Sequence, residues 1–146
     1  MRDWSENIPS AESLTGYVDW HQAQKNSKDV FTAKRYAIAL KESNLLIGVV
    51  GMGEDDRLHE VEMAYFIDEA YRGKGYVSES VTALYDWCMA VSSLAYMILT
   101  IDCANEASRR VAEKSEFELF EKRTPIGYKH PNMPSGSYDY YRKYRA

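Results

Sequence analysis

The stretch Ile67-Asp68-Glu69-Ala70-Tyr71-Arg72-Gly73-Lys74-Gly75-Tyr76-Val77 decides how this chain reads, because the hydrophobic period changes across it. Glu60–Ile67 ahead of it reads as a strand. After it, Val77, Val81, Leu84, Tyr85, Cys88 and Val91 recur at helical spacing, which predicts an amphipathic helix over about 75–91. Two glycines, Gly73 and Gly75, therefore fall where a strand gives way to a helix. Lacking a Cβ, they permit positive φ and let backbone approach a ligand closely. Unpaired N–H groups at a helix start form an anion-binding concavity, and the helix dipole adds favourable potential. Arg72 and Lys74 bring positive charge beside it. The turn over Tyr71–Val77 is thus a candidate phosphate or pyrophosphate site, against the plainer reading of a glycine-rich tight turn. No Lys-Ser/Thr pair follows the glycines, so it is not a P-loop. The glycine spacing also differs from the dinucleotide-binding fingerprint.

Upstream, Arg35–Lys41 alternates with Tyr36, Ile38 and Leu40 on one side, as in a strand with one buried face. Leu45–Val50 is continuously apolar, suiting a strand covered on both faces, and Gly51 and Gly53 are expected to weaken or bend it. With turns at 42–44 and 55–57, these segments and Glu60–Ile67 form an antiparallel meander. Downstream, Tyr96–Ile101 reads as an apolar strand, so that strand, helix and strand make a parallel crossover. A short helix over about 106–114, a strand over about 117–123, a Pro/Gly-punctuated loop over 124–135 and a closing strand over Ser137–Tyr144 complete the pass. Ahead of the meander, Ser10 is placed to cap a helix over about 11–25. The expected class is α/β (α+β), with a mixed, mostly antiparallel sheet flanked by helices.

The chain has 146 residues, 45% hydrophobic and 27% charged, which fits one domain over 1–146. A net charge of -4 argues against general nucleic-acid binding, which needs a basic footprint. Cys88 and Cys103 lack metal-ligand spacing and lie in apolar segments, so they read as reduced core residues. His21, His59 and His130 are scattered, and no metal is expected. No apolar run approaches a membrane span and no signal peptide is recognisable, which makes the cytoplasm the default location.

Two segments carry a resemblance to a known family. The run Arg72-Gly73-Lys74-Gly75-Tyr76-Val77 resembles the acetyl-CoA-binding motif of the GNAT N-acetyltransferases, Gln/Arg-x-x-Gly-x-Gly/Ala, with Arg72 at the first position and Gly75 at the central glycine. Val77 departs from it, standing where the family prefers Gly or Ala, and is expected to tighten the cofactor's approach. Independently, Asn105-Glu106-Ala107-Ser108 followed by Lys114 and Phe117 resembles the Asn-x-x-Ser…Lys-x-Gly-Phe signature of the ribosomal-protein N-acetyltransferase branch, with Glu116 in place of the glycine. The strand Ala64-Tyr65-Phe66-Ile67 is also similar to that branch. The resemblance spans about residues 35–123. It implies an acetyl-CoA-dependent N-acetyltransferase using acetyl-CoA as co-substrate. It also implies a first strand and helix that this chain lacks, so the chain reads as truncated or as completing its sheet edge otherwise, for instance in a homodimer.

Acetyl transfer to an amine needs a neutral amine, although a lysine-type amine has a pKa near ~10. It also needs a polarised thioester carbonyl and a proton or stabilisation for the leaving thiolate. The resemblance implies that the strand Glu60–Ile67 and the strand after the helix splay apart around the pantetheine arm. Met63, Ala64, Tyr65, Phe66 and Ile67 would then lie along the cofactor, with its pyrophosphate on Arg72, Gly73, Lys74, Gly75, Tyr76 and Val77. Glu62 is the candidate general base and Glu60 the reserve on the same strand face. Both also read as ordinary solvent-facing strand carboxylates. Many family members place a tyrosine acid where this chain has Ala112, so the donor implied is Ser108, with Asn105 on the pantetheine arm. As plain structure, Asn105 is an N-cap and Ser108 a first-turn residue. Tyr138, Tyr140 and Tyr141 are candidates to line the acceptor site or to pack in the sheet.

The leading reading is transfer of an acetyl group to a protein N-terminus or a small amine by direct attack in a ternary complex. The alternative is a noncatalytic acyl-CoA-binding module or an inactive truncated enzyme, motivated by the short N-terminus and the absent tyrosine. A nucleotide-phosphate binder outside this family predicts competition between ATP or GTP and CoA. The acceptor carries no motif; Glu6, Glu12 and Asp19 hint at a cationic one.

Overall fold

The computed structural model describes residues 28–55, 58–124 and 136–146. The helix expected over 11–25, the acidic residues Glu6, Glu12 and Asp19, and nearly all of the 124–135 loop lie outside them. Six strands, β1 (Lys34–Ala39), β2 (Leu46–Asp55), β3 (Glu60–Ile67), β4 (Tyr96–Asp102), β5 (Glu118–Arg123) and β6 (Tyr138–Tyr144), form one sheet in the order β1-β2-β3-β4-β6-β5. Helix α1 (Tyr76–Val91) carries the crossover from β3 to β4, and α2 (Glu106–Lys114) follows β4.

The meander β1-β2-β3 is antiparallel, as expected from its short turns. β2 departs from expectation in two ways. Leu46 is exposed, so the run is not covered at its start. It also runs past Val50, through Gly51 and Gly53, to Asp55. Close approach of neighbouring backbone accounts for two of its glycines. A Cβ on Gly51 would meet the Lys34 carbonyl oxygen at 2.7 Å, and one on Gly48 the Phe66 carbonyl oxygen at 2.4 Å. Neither distance is tolerable, so this part of the sheet requires glycine.

Val77, Val81, Leu84, Tyr85 and Cys88 form the buried stripe of α1, as their spacing predicted. They pack on Val50, Met52, Val61, Met63, Leu99 and Tyr141 in the main core. Burying such a side chain contributes about 1.5–3 kcal/mol. The opposite face of the sheet holds a smaller cluster built on Ile98, Tyr138 and Tyr140, with Leu58 and Tyr96 against it. Cys88 is buried and free, and burial pushes its thiol up to about 12. Cys103 likewise forms no disulfide but is half-exposed beyond β4, so it is not the core residue expected. Lys34 is buried on the core side of β1, where its Nζ donates to the backbone carbonyls of Asp29 and Thr32. Desolvation lowers its pKa despite the nearby Asp29.

Candidate active site between β3 and β4

β3 and β4 run parallel but share a single Cα pair, Glu62–Ile98, whereas β2 and β3 share eight and β4 and β6 seven. Beyond that pair, Met63–Ile67 of β3 and Leu99–Asp102 of β4 have no matched Cα partners with each other. β3 continues from there into the glycine turn and α1, and β4 continues into α2. Both sequence motifs therefore stand at the carboxyl ends of these two strands, the usual ligand position in open sheets with parallel crossovers.

At the turn, Asp68 caps a short 3-10 segment, Glu69–Tyr71, its Oδ1 accepting from Ala70 N at 2.9 Å. The chain then needs two left-handed residues, Gly73 (φ 76°) and Gly75 (φ 83°). Gly75 is the N-cap of α1 and offers no side-chain cap. The opening N–H groups of a helix have no partner within it, so those of Tyr76, Val77 and Ser78 face outward from the helix start. Arg72 and Lys74 are exposed beside them, Lys74 Nζ lying 5.7 Å from the Tyr71 ring centroid. The Val77 side chain is buried in the core beneath the turn.

Along β3 the side chains alternate. Val61, Met63, Tyr65 and Ile67 belong to the helix-side core, while Glu60, Glu62, Ala64 and Phe66 fall on the other face. Glu62 is the β3 member of the matched pair, and Thr100 Oγ1 on β4 donates to its Oε1 at 2.9 Å. Glu60 shares that face but has a different environment. Its Oε2 accepts from Tyr96 Oη and from Tyr140 Oη (2.5 Å), and Arg142 Nη2 lies 3.5 Å away. Donation to this carboxylate raises the Tyr96 pKa, and burial with the same carboxylate raises that of Tyr140. Arg142 is also stacked, its guanidinium carbon 3.9 Å from the Phe120 ring centroid and 4.4 Å from that of Tyr96. A carboxylate so occupied serves as a structural anchor.

On α2, Asn105 is the N-cap, its Oδ1 accepting from Ser108 N at 3.1 Å. The Ser108 carbonyl accepts from Tyr65 Oη at 3.3 Å. Ala112 is fully buried. Of the three tyrosines proposed for the acceptor side, Tyr138 and Tyr140 lie on the Glu60 face, whereas Tyr141 packs in the helix-side core. Sequence reasoning missed Thr100, Tyr96 and Arg142, whose carboxylate partners Glu62 and Glu60 are 36 or more positions away in the chain. Among the described residues no group of three or more His, Cys, Asp or Glu side chains is placed to hold a metal, and no helix is long and apolar enough to cross a membrane.

A parallel crossover with one matched pair thus has a glycine turn and a capped helix at the carboxyl ends of its strands. Comparison with known proteins gives the family: residues 1–118 match the acetyltransferase (GNAT) domain model. The chain belongs to that family, and its class is that of the acetyl-CoA-dependent acetyltransferases. It is 25% identical over 130 residues to the uncharacterized N-acetyltransferase YnaD of Bacillus subtilis (strain 168), covering 87% of this chain and 72% of that protein. Two solved structures share the fold. The RimL ribosomal L7/L12 alpha-N-protein acetyltransferase in complex with coenzyme A superposes with a TM-score of 0.74 at 21% identity, over 98% of this chain and 77% of that one. The ribosomal-protein-S5-alanine acetyltransferase from Vibrio fischeri gives 0.68 at 20%, over 91% and 69%.

Proposed function

We propose that this protein, acting as one domain over residues 1–146, transfers the acetyl group of acetyl-CoA to a primary amine by direct attack in a ternary complex. The observation that carries the reading is the single matched pair Glu62–Ile98 between β3 and β4, with the Tyr71–Val77 turn beyond the carboxyl end of β3. The pyrophosphate rests on the outward N–H groups at the start of α1, helped by Arg72, Gly73, Lys74 and Gly75. The pantetheine arm runs down a cleft between β3 and β4 along Ala64, Tyr65, Phe66 and Ile67, pairing with backbone that β4 leaves unpaired. A β3 N–H in this stretch polarises the thioester carbonyl. Asn105 holds the arm through its amide nitrogen, since Oδ1 is engaged in the cap.

Glu62 is the general base. It stands at the narrow end of the cleft, oriented by Thr100, on the sheet face opposite both helices. It takes the ammonium proton, and the neutral nitrogen attacks the carbonyl carbon. As the C–S bond breaks, its electron pair goes to sulfur; the Ser108 hydroxyl passes its proton to the thiolate and takes the second proton from the attacking nitrogen, leaving a thiol, a neutral amide and an unchanged serine, while Glu62 returns its proton to solvent. Holding amine and thioester together supplies much of the acceleration. The acceptor is a protein N-terminus or a small amine, reaching the face that carries Tyr138 and Tyr140.

Release of free thiol from acetyl-CoA in the presence of a broad amine panel tests this reading, with mass spectrometry to identify the acetylated product. Thiol release dependent on one amine class is the expected result. Tight acetyl-CoA binding without release for any amine would make the chain a binding module instead.

A further inference from the structure

Tyr65 lies three residues beyond the Glu62–Ile98 pair, on the part of β3 without matched partners in β4. Its ring turns to the helix side and packs against the main core. There its hydroxyl donates to the Ser108 carbonyl at 3.3 Å. Ser108 belongs to the helix that follows β4, so this bond ties the β3 wall of the cleft to the element that continues the β4 wall. The bond spans 43 positions of sequence and sits at the first turn of α2. Burial pushes the Tyr65 pKa up to about 12, so the hydroxyl keeps its proton, and its role as donor, throughout the neutral range. The other backbone polar group of Ser108, its N–H, is held by Asn105 Oδ1 at 3.1 Å. Both peptide groups flanking the Ser108 side chain are therefore fixed, one by the cap and one from across the cleft.

We infer that Tyr65 is a positioning residue for acetyl transfer: its hydroxyl sets the first turn of α2 against β3 and so fixes the Ser108 hydroxyl relative to the thioester sulfur. This rests on the proposed role of Ser108 as the thiol-side donor. Displacing a donor by a fraction of an ångström weakens proton transfer far more than it weakens binding.

The test is Tyr65→Phe, alone and combined with Ser108→Ala. Tyr65→Phe removes only the hydroxyl and leaves the glycine turn untouched. It is expected to lower kcat about tenfold, a loss typical of a slightly misplaced catalytic group, while the KM for acetyl-CoA changes by less than about twofold. Thermal unfolding of the same samples separates loss of turnover from loss of fold. In the Ser108→Ala background, Tyr65→Phe is expected to cost nothing more, because residues that act through one another are non-additive. Independent, multiplicative losses would overturn the inference while leaving Ser108 as donor. So would full activity of Tyr65→Phe beside a slowed Ser108→Ala. Unchanged turnover of Ser108→Ala would instead remove the donor role itself, and the positioning role with it.

Discussion

Thr100 donates its hydroxyl to Glu62 Oε1 at 2.9 Å, from two residues beyond Ile98, the β4 residue that Glu62 pairs with. Two residues earlier on the same strand face, Glu60 is held by Tyr96, Tyr140 and Arg142. Two carboxylates indistinguishable by strand period thus have separate duties. One accepts a hydroxyl from β4 beside the matched Glu62–Ile98 pair. The other neutralises a stacked arginine and closes a polar network that knits β3, β4 and β6.

Glu60 is accordingly expected to matter for stability. Glu60→Ala leaves two tyrosine hydroxyls and one guanidinium short of their acceptor, at a cost of about 2–3 kcal/mol. For a domain of this size that corresponds to a drop in Tm of roughly 4–12 °C. Turnover per folded molecule is expected to stay near the parent value. Calorimetry and steady-state kinetics on the same preparation check both parts.

Gly75 is expected to matter for the cofactor. Its φ of 83° lies in the left-handed region, and although a Cβ there would meet nothing within 4 Å, an L-residue costs about 1–2 kcal/mol in that conformation. Gly75→Ala relieves this strain by turning the first N–H groups of α1. The expected outcome is a KM for acetyl-CoA raised about tenfold, with kcat at saturation little changed. An unaltered KM would mean that the turn does not bear the pyrophosphate.

Alkaline pH is expected to destabilise the fold through two buried acids. The folded-state pKa of Tyr65 is about 12 against about 10 unfolded, and that of Cys88 is also about 12, above its ordinary value of 9.0. Their protons are bound more tightly in the folded state. The stability this lends is fully present below the unfolded values and is lost as pH rises from about 9 toward 12, at up to about 1.4 kcal/mol per pH unit for each group. Urea unfolding at successive pH values is expected to show this decline, and Tyr65→Phe to make it shallower above pH 10. Parallel slopes for the two proteins would contradict the assignment.

Local chemistry made much of this molecule legible in its sequence. The spacing from Val77 to Val91 placed α1 within a residue, because a buried helical stripe is a local pattern. The meander, the crossover and the capped start of α2 followed from turn and cap residues in the same way. What stayed hidden depends on partners distant along the chain. The sequence offers no local sign that β6 lies between β4 and β5, or that Lys34 is buried under two carbonyls. The need for Gly51 was hidden because the Lys34 carbonyl that crowds it belongs to another strand. The departure of Val77 from the motif is visible in sequence, whereas its inward direction is not. The different surroundings of Glu62 and Glu60 were hidden because Thr100, Tyr96, Tyr140 and Arg142 lie on other strands.

The central claim, that Glu62 takes the amine proton at the narrow end of a cofactor cleft, is tested most directly by Glu62→Gln, measured for turnover across pH and for acetyl-CoA affinity by calorimetry. The substitution keeps an acceptor for Thr100 and removes the base. The account predicts kcat lowered by about 10²-fold or more at neutral pH, with the acetyl-CoA Kd little changed. Turnover equal to the parent's at every pH would contradict it.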